Sequence, residues 1–300
     1  MAKLCGCKGI RTCLLCEKEF GIKPRGPASL TDPRETHIYC PLCNLAWRGY
    51  DMNAWKTHPH HEGTPFSLPG VFLLVSIPQP DFLTQEEADA LMEGMDALPW
   101  STSQSGRSKQ NFGPKCNFKK QKLKLGSFQG FPSFSEFVQE KLSSVPLLSN
   151  FKTVEQCNME YDPNRGACIE PHVDDCWVWG ERVVTLNVIG DAVLTVTPYC
   201  GDRSKYNLNW RTDYNPLTSE VKNNTIEKTQ AVIRIPLLAR SLVVLTGAAR
   251  YDWEHSVLRE DVRERRVCIA YREFTPWFLP GGRFYEEVGK DVLQAACNFF

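Results

Sequence analysis

The chemistry in this chain centres on Glu170-Pro171-His172-Val173-Asp174-Asp175, a His-x-Asp pair set among Cys168, Ile169, Trp177 and Trp179. An imidazole and a carboxylate two residues apart point to one side of an extended strand. Together they offer two adjacent ligands to a metal ion. A distant histidine would complete a facial triad with open positions, the donor set of a non-haem Fe(II) oxygenase. His255, in Trp253-Glu254-His255-Ser256, is the only other histidine in the β-rich part of the sequence. A His-x-Asp pair occurs by chance in many chains, and a lone histidine is more often a core or surface residue. The weight comes from a segment shortly after His255. Arg266-Val267-Cys268-Ile269-Ala270-Tyr271-Arg272 places two arginines on one strand face with only the small Cys268 and Ala270 between them. At about 3.3 Å per residue their Cα atoms would stand roughly 20 Å apart. Arms reaching inward across that span could bracket a short dicarboxylate, a group that guanidinium binds in bidentate fashion. Alone, the same two arginines would as readily form surface ion pairs.

A second concentration of chemistry lies near the start. Six of the thirteen cysteines fall within the first 43 residues. Met-Ala-Lys-Leu-Cys-Gly-Cys shows no apolar leader, and the longest apolar run, Val71–Val75, is too short to span a bilayer. Reducing conditions are therefore the expectation, and clustered thiols under those conditions point to metal rather than to disulfides. Cys5, Cys7, Cys13 and Cys16 are candidate zinc ligands. Cys40-x2-Cys43, followed by His58, His60 and His61, is near a zinc-finger spacing. These are more ligands than one four-coordinate site needs, so the set stays open; the bland reading is reduced, partly buried thiols.

The elements that must position these groups read as mainly β with flanking helices, an α+β class. The chain has 300 residues, 35 basic against 35 acidic, and mean hydropathy −0.34, which suits an ordinary globular core without a global field. Residues 1–66 read as a separate, irregular Cys-rich region, and 67–300 as the main domain. Short strands are expected at Val71–Val75, Val183–Val188, Ala192–Thr197, Val232–Leu237, Ser241–Leu245 and Arg266–Phe274. Without βα alternation they argue for a sandwich or jelly roll. Thr84-Gln85-Glu86-Glu87 is a capping box that opens an amphipathic helix through Ala88, Leu91, Met92 and Met95. Phe131–Leu142 and Tyr285–Asn298 read as further helices, and Cys200–Thr229 as a long mobile insertion of the kind that forms lids. Residues 105–124 hold Arg107, Lys109, Lys115, Lys119, Lys120, Lys122 and Lys124 with no acid, interleaved with Phe112 and Phe118. Such a run suits nucleic acid or an acidic protein surface, with Arg107, Lys109, Lys119 and Lys120 as candidate substrate contacts. A solvated edge hairpin would look the same.

Taken together, His172-x-Asp174, His255 and Arg266-x5-Arg272, in this order, resemble the AlkB family of Fe(II)/2-oxoglutarate dioxygenases. Asn158-Met159-Glu160-Tyr161 is similar to the family's Asn-x-Tyr, with the asparagine one residue further from the tyrosine. Cys5–Cys13, Ser103–Arg107, Trp179–Arg182 and Leu245–Arg250 extend the likeness over nearly the whole chain. The resemblance implies a double-stranded β-helix (jelly roll) core. It implies iron on His172, Asp174 and His255; 2-oxoglutarate held by Arg266 with support from Arg272, Tyr161 and Asn158; and O2 as cosubstrate. It further implies oxidative N-demethylation with release of formaldehyde, succinate and CO2. The implied substrates are methyl-lysine of a protein such as actin, in an actomyosin setting, and/or N6-methyladenine in DNA, in cytoplasm and nucleus. Asp175 is a candidate substrate contact, and Trp177 and Trp179 either line the pocket or fill the core. Two other readings stand beside this one: a non-catalytic jelly-roll scaffold with a zinc-binding tail, and a hydroxylase that leaves a stable alcohol.

Overall fold

The computed structural model describes residues 5–7, 11–23, 36–74, 81–213 and 231–300. In chain order its strands are β1 (Thr36–Cys40), β2 (Leu45–Arg48), β3 (Val71–Leu74), β4 (Ser101–Thr102), β5 (Ser108–Phe112), β6 (Lys115–Asn117), β7 (Lys122–Lys124), β8 (Glu155–Tyr161), β9 (Ile169–His172), β10 (Trp179–Ile189), β11 (Ala192–Pro198), β12 (Val232–Leu237), β13 (Ser241–Leu245), β14 (Trp253–Val257) and β15 (Arg266–Phe274). The α-helices are α1 (Leu14–Phe20), α2 (Gln85–Asp96), α3 (Glu136–Ser144), α4 (Gly247–Tyr251) and α5 (Lys290–Ala295).

Two sheets face each other as a jelly roll. One has six strands in the order β2-β1-β12-β11-β14-β9; the other has seven in the order β3-β13-β10-β15-β8-β5-β4. The two-residue period of the strands sorts their side chains into layers. On β10 and β15, Val183 and Cys268 turn inward to meet Leu194, Val196, Ile233 and Ile235 of the opposite sheet. The alternate residues Val184, Leu186, Val188, Ile269 and Tyr271 turn outward. There they pack on Leu91 and Met95 of α2 and on Val138 and Leu142 of α3. The capping box forms: Glu87 N–H donates to Thr84 Oγ1 at 3.2 Å, and Thr84 N–H donates to the Glu87 carboxylate at 2.8 Å. One sheet face is thus covered by helices, and the other encloses the cup.

Three sequence expectations change. Part of the N-terminal region is not separate from the sheet: β1 runs parallel to β12 and β2 is the outer strand beside it, so both extend the six-stranded sheet. The stretch expected as one helix over 285–298 begins as a π-helical turn at Tyr285–Gly289 before α5. The first half of the 200–229 insertion is packed rather than loose. Leu208 is fully buried, and Cys176 N–H donates to Tyr206 O at 2.9 Å. The rest of that insertion, from residue 214, lies outside the described residues, as do Val75 and most of the 23–34 connector. Among the described residues no helix is long and apolar enough to cross a membrane.

Candidate active site

β9 and β14 are antiparallel neighbours at the edge of the six-stranded sheet, and their register sets His172 directly opposite His255. The two rings lie 4.3 Å apart between centroids. His172 Nδ1–H donates to Glu170 O at 2.8 Å, which leaves the Nε2 lone pair facing Asp174. The separation from His172 Nε2 to Asp174 Oδ1 is 3.7 Å. Ligand atoms of His172, Asp174 and His255 all lie within 4.8 Å of one another. β9 ends at His172, so Asp174 reaches the cluster from the loop beyond the strand rather than from the strand face.

Two arginines hold that loop. Arg272 Nε and Nη2 both donate to the Asp174 carboxylate, at 3.1 and 3.2 Å, and its Nη1 donates to Glu155 at 2.6 Å. Arg250, 1% exposed, donates to the backbone oxygens of Asp174, Asp175, Trp179 and Gly180. Burial alone would raise the Asp174 carboxyl, but Arg272 and the two histidines outweigh it and hold it well below the usual carboxylate range. Burial also pushes both histidines down, His255 to about 3 with help from His172. The site therefore presents two neutral imidazoles and one carboxylate, the charge state that metal ligation requires.

A cationic pocket opens beside this cluster on the inner face of the seven-stranded sheet. Tyr161 of β8 pairs with Arg266 of β15. Arg266 is 1% exposed; its Nε donates to Asn187 Oδ1 at 2.7 Å, while Nη1 has no partner. Its guanidinium lies 4.7 Å from the Tyr161 ring centroid. Arg107 lies over the same ring at 5.9 Å, with Nη1 3.7 Å from Met159 Sδ and Nε without a partner. Two buried guanidiniums with unsatisfied N–H groups thus flank one tyrosine, a donor set suited to a carboxylate.

The structure corrects three residue readings. Asn158 faces away from the pocket: it pairs with Ile269, and its amide donates to Gln110 Oε1 on the helix side of the sheet. Parity explains this, since 158 and 161 differ by an odd number and cannot share a strand face. Asp175 is not free for substrate, because its carboxylate accepts from the Trp177 and Val178 amides and from Asn207 Nδ2. Arg107 leaves the basic surface run and is buried in the cup. Arg272 carries its fork to Asp174 and Glu155, beside the metal ligands, while Arg107 and Arg266 flank Tyr161. Lys109, Lys119 and Lys120 remain exposed. Lys109 pairs with Met159 and so stands on the inner face at the lip of the cup. Phe118 is exposed and meets Trp179 at 6.4 Å, whereas Phe112 turns to Phe300, and Trp177 sits in the aromatic core against Phe278.

Asn187 and Glu155 carried no sequence signal of their own, because each acts through a partner distant in the chain; Arg250 stood only within the Leu245–Arg250 likeness. The placement of Arg107 depends on the cysteines. Gly106, with φ +76°, turns the chain into β5 next to Arg107. Burial raises the Cys7 thiol, and the backbone amides of Gly106 and Ser105 beside it offset this in part. A Cβ on Gly6 would lie 2.7 Å from Thr102 O, so only glycine allows the cysteine segment to approach this closely. Cys5, Cys7, Cys13 and Cys16 are all buried, with sulfurs within 4.8 Å of one another, a donor set that fits zinc. Arg259 fastens the cluster to the loop before β9, donating to both Glu17 carboxylate oxygens at 2.8 Å and to Gly166 O at 3.1 Å.

The jelly roll, the His-Asp-His cluster and the anion-demanding pocket beside it define a non-haem iron dioxygenase that uses 2-oxoglutarate. No protein-family model matches the chain. It is 40% identical over 303 residues to the alpha-ketoglutarate-dependent dioxygenase alkB homolog 4 of Mus musculus, spanning 98% of this chain and 94% of that protein. The Homo sapiens protein of the same name is 41% identical over 301 residues, again spanning 98% and 94%. A Caenorhabditis elegans DNA N6-methyl adenine demethylase is 30% identical over 299 residues, spanning 97% and 93%. The chain belongs to the AlkB family of Fe(II)/2-oxoglutarate dioxygenases, so its cofactors are Fe(II) and 2-oxoglutarate.

Proposed function

We propose that the protein removes N-methyl groups by oxidation, with N6-methyladenine in DNA as the leading substrate. Iron would sit on His172, Asp174 and His255, and 2-oxoglutarate in the pocket of Arg266, Arg107 and Tyr161. Iron and 2-oxoglutarate together supply the oxidation of a substrate C–H bond by O2. One atom of O2 enters the methyl group and the other enters succinate as the 2-oxo acid loses CO2. The resulting N–CH2–OH then breaks its C–N bond to give N–H and formaldehyde, and a proton moves from oxygen to nitrogen.

This chain's side chains have positioning tasks. Arg272 holds the Asp174 carboxylate in one orientation, and Arg250 fixes the loop on which it rides. Arg266 and Arg107, on either side of Tyr161, would neutralise the cosubstrate carboxylate that points away from the iron. Arg107 reaches Met159, the position two before Tyr161 where the family's Asn-x-Tyr asparagine would stand, and so supplies a donor that methionine lacks. Lys109 at the lip, with Lys119 and Lys120 beside the exposed Phe118, offers phosphate contacts and a ring face for a base.

The carrying observation is the in-register His172–His255 pair with Asp174 clamped by Arg272 beside two unsatisfied arginines. The DNA reading draws on the exposed lysines and on the worm relative's name. Methyl-lysine of actin, within actomyosin, is the second substrate reading, since an acidic protein surface would meet the same lysines. Either substrate is compatible with a cytoplasmic and nuclear distribution. The test is formaldehyde and succinate release from an N6-methyladenine oligonucleotide and from a methyl-lysine actin peptide, with His172→Ala as control. Formaldehyde from the oligonucleotide that vanishes in the control supports the proposal. Succinate with a product 16 mass units heavier and no formaldehyde would instead make the protein a hydroxylase.

A further inference from the structure

We propose that Cys40, Cys43, His58 and His61 hold a second metal ion, a structural zinc outside both the oxygenase centre and the four-cysteine cluster. Their four donor atoms lie within 4.8 Å of one another. Cys40 ends β1, and Cys43 lies in the turn to β2, so the hairpin Cys40-Pro41-Leu42-Cys43-Asn44 brings both sulfurs to one side. The turn has the backbone of a metal knuckle. Asn44 takes a left-handed φ of 57° while its N–H donates to Cys40 O at 2.9 Å.

The histidines arrive from the turn after Ala54–Thr57, which is anchored by the buried Trp55 against Ile38 and Cys40. Cys40 Sγ lies 3.8 Å from His58 Nδ1, and His58 Nδ1 lies 3.4 Å from His61 Nε2. Zn–S bonds of about 2.3 Å and Zn–N bonds of about 2.0 Å put the edges of a regular ligand tetrahedron at roughly 3.4–3.8 Å. Both separations fall in that range. Trp47 of β2 supports two of the ligands, donating its indole N–H to Cys43 Sγ at 3.4 Å and stacking on His61 with centroids 4.8 Å apart. His60 is exposed and takes no part, which resolves the choice among three histidines that spacing alone left open. Two sulfurs and two imidazoles in a closed tetrahedron leave no position for substrate, the mark of a structural zinc.

The location shows what the ion does. β1 and β2 form the edge of the six-stranded sheet opposite β9 and β14, which carry the iron histidines. Residues 49–65 loop out from β2 and return at the Ala46–Phe66 bridge. The apolar cluster beneath this loop is small, with only Ile38, Cys40 and Trp55 fully buried. A zinc joining the hairpin turn to His58 and His61 closes the loop at its far end, where packing is thin.

Metal analysis of the purified full-length chain, without chelator, tests this. The parent should carry two zinc ions per chain, and His58→Ala/His61→Ala should lose one. His61→Cys should keep the parental count, because a thiolate replaces the imidazole on the same zinc. In Cys13→Ser/Cys16→Ser protein, the remaining zinc should show two sulfur and two nitrogen neighbours by X-ray absorption. A zinc count unchanged by His58→Ala/His61→Ala in folded protein would overturn the proposal. So would a remaining zinc in the Cys13→Ser/Cys16→Ser protein with no sulfur neighbours.

Discussion

Replacing Arg107 with methionine separates a cosubstrate arginine from a structural one. Arg107 is 8% exposed and its Nε has no partner. In the cosubstrate-free protein that buried cation is a liability, and methionine of similar length removes it. If the guanidinium binds a cosubstrate carboxylate, the substitution removes a charge-assisted hydrogen bond worth about 1.5–3 kcal/mol. At 1.4 kcal/mol per factor of ten, the KM for 2-oxoglutarate should rise about 10- to 150-fold. The kcat at saturating 2-oxoglutarate should change by no more than about threefold, because binding lost equally in ground and transition states leaves kcat alone. The thermal midpoint of the cosubstrate-free protein should hold or rise. Succinate formation at varied 2-oxoglutarate, with melting curves in its absence, measures both. An unchanged KM for 2-oxoglutarate with a raised KM for methylated substrate would return Arg107 to the role of substrate contact. A lower melting point would make it a structural residue and refute the reasoning.

Asn158→Ala should spare the KM for 2-oxoglutarate but destabilise the fold by about 1–3 kcal/mol, because Gln110 and Gln156 lose a buried partner; denaturant titration and kinetics check the two halves. Iron affinity should stay level as pH falls from 8 through 6. Burial depresses both histidines, His255 to about 3, so protons do not compete for their lone pairs in the range where an ordinary imidazole titrates. Fe(II) titration under anaerobic conditions at several pH values reads this, and a loss of affinity centred near 6.5 would contradict it. Lys119→Ala/Lys120→Ala should weaken DNA binding across sequences and flatten the salt dependence of log K by roughly 0.7–0.9 per lost phosphate contact; an unchanged slope would remove these lysines from the substrate surface.

Local pattern was enough where neighbours in sequence set the outcome. β12, β13 and β15 begin and end where their β-branched runs do, and Thr84 with Glu87 capped α2 as four consecutive residues allow. The metal triad was legible from residue type and order. Its mechanism was not: the sequence put Asp174 on a strand with His172, and the structure places it past the strand end, held there by Arg272 and Arg250. Parity along β8 already contained the correction to Asn158, since a strand's side-chain period is fixed by the backbone.

The amino-acid sequence by itself determined which donor atoms this protein owns and the face each strand residue takes, because composition and the two-residue period are local. Only the tertiary structure decided which donors meet. His172 and His255 are joined by the register of β9 against β14, and Arg107 and Arg266 by β5 and β15 flanking β8. The same holds for His61 rather than His60 beside Cys40 and Cys43. Each of these pairings spans a stretch of chain whose path depends on the packing of the whole, and burial then gives the assembled groups charge states that none has alone.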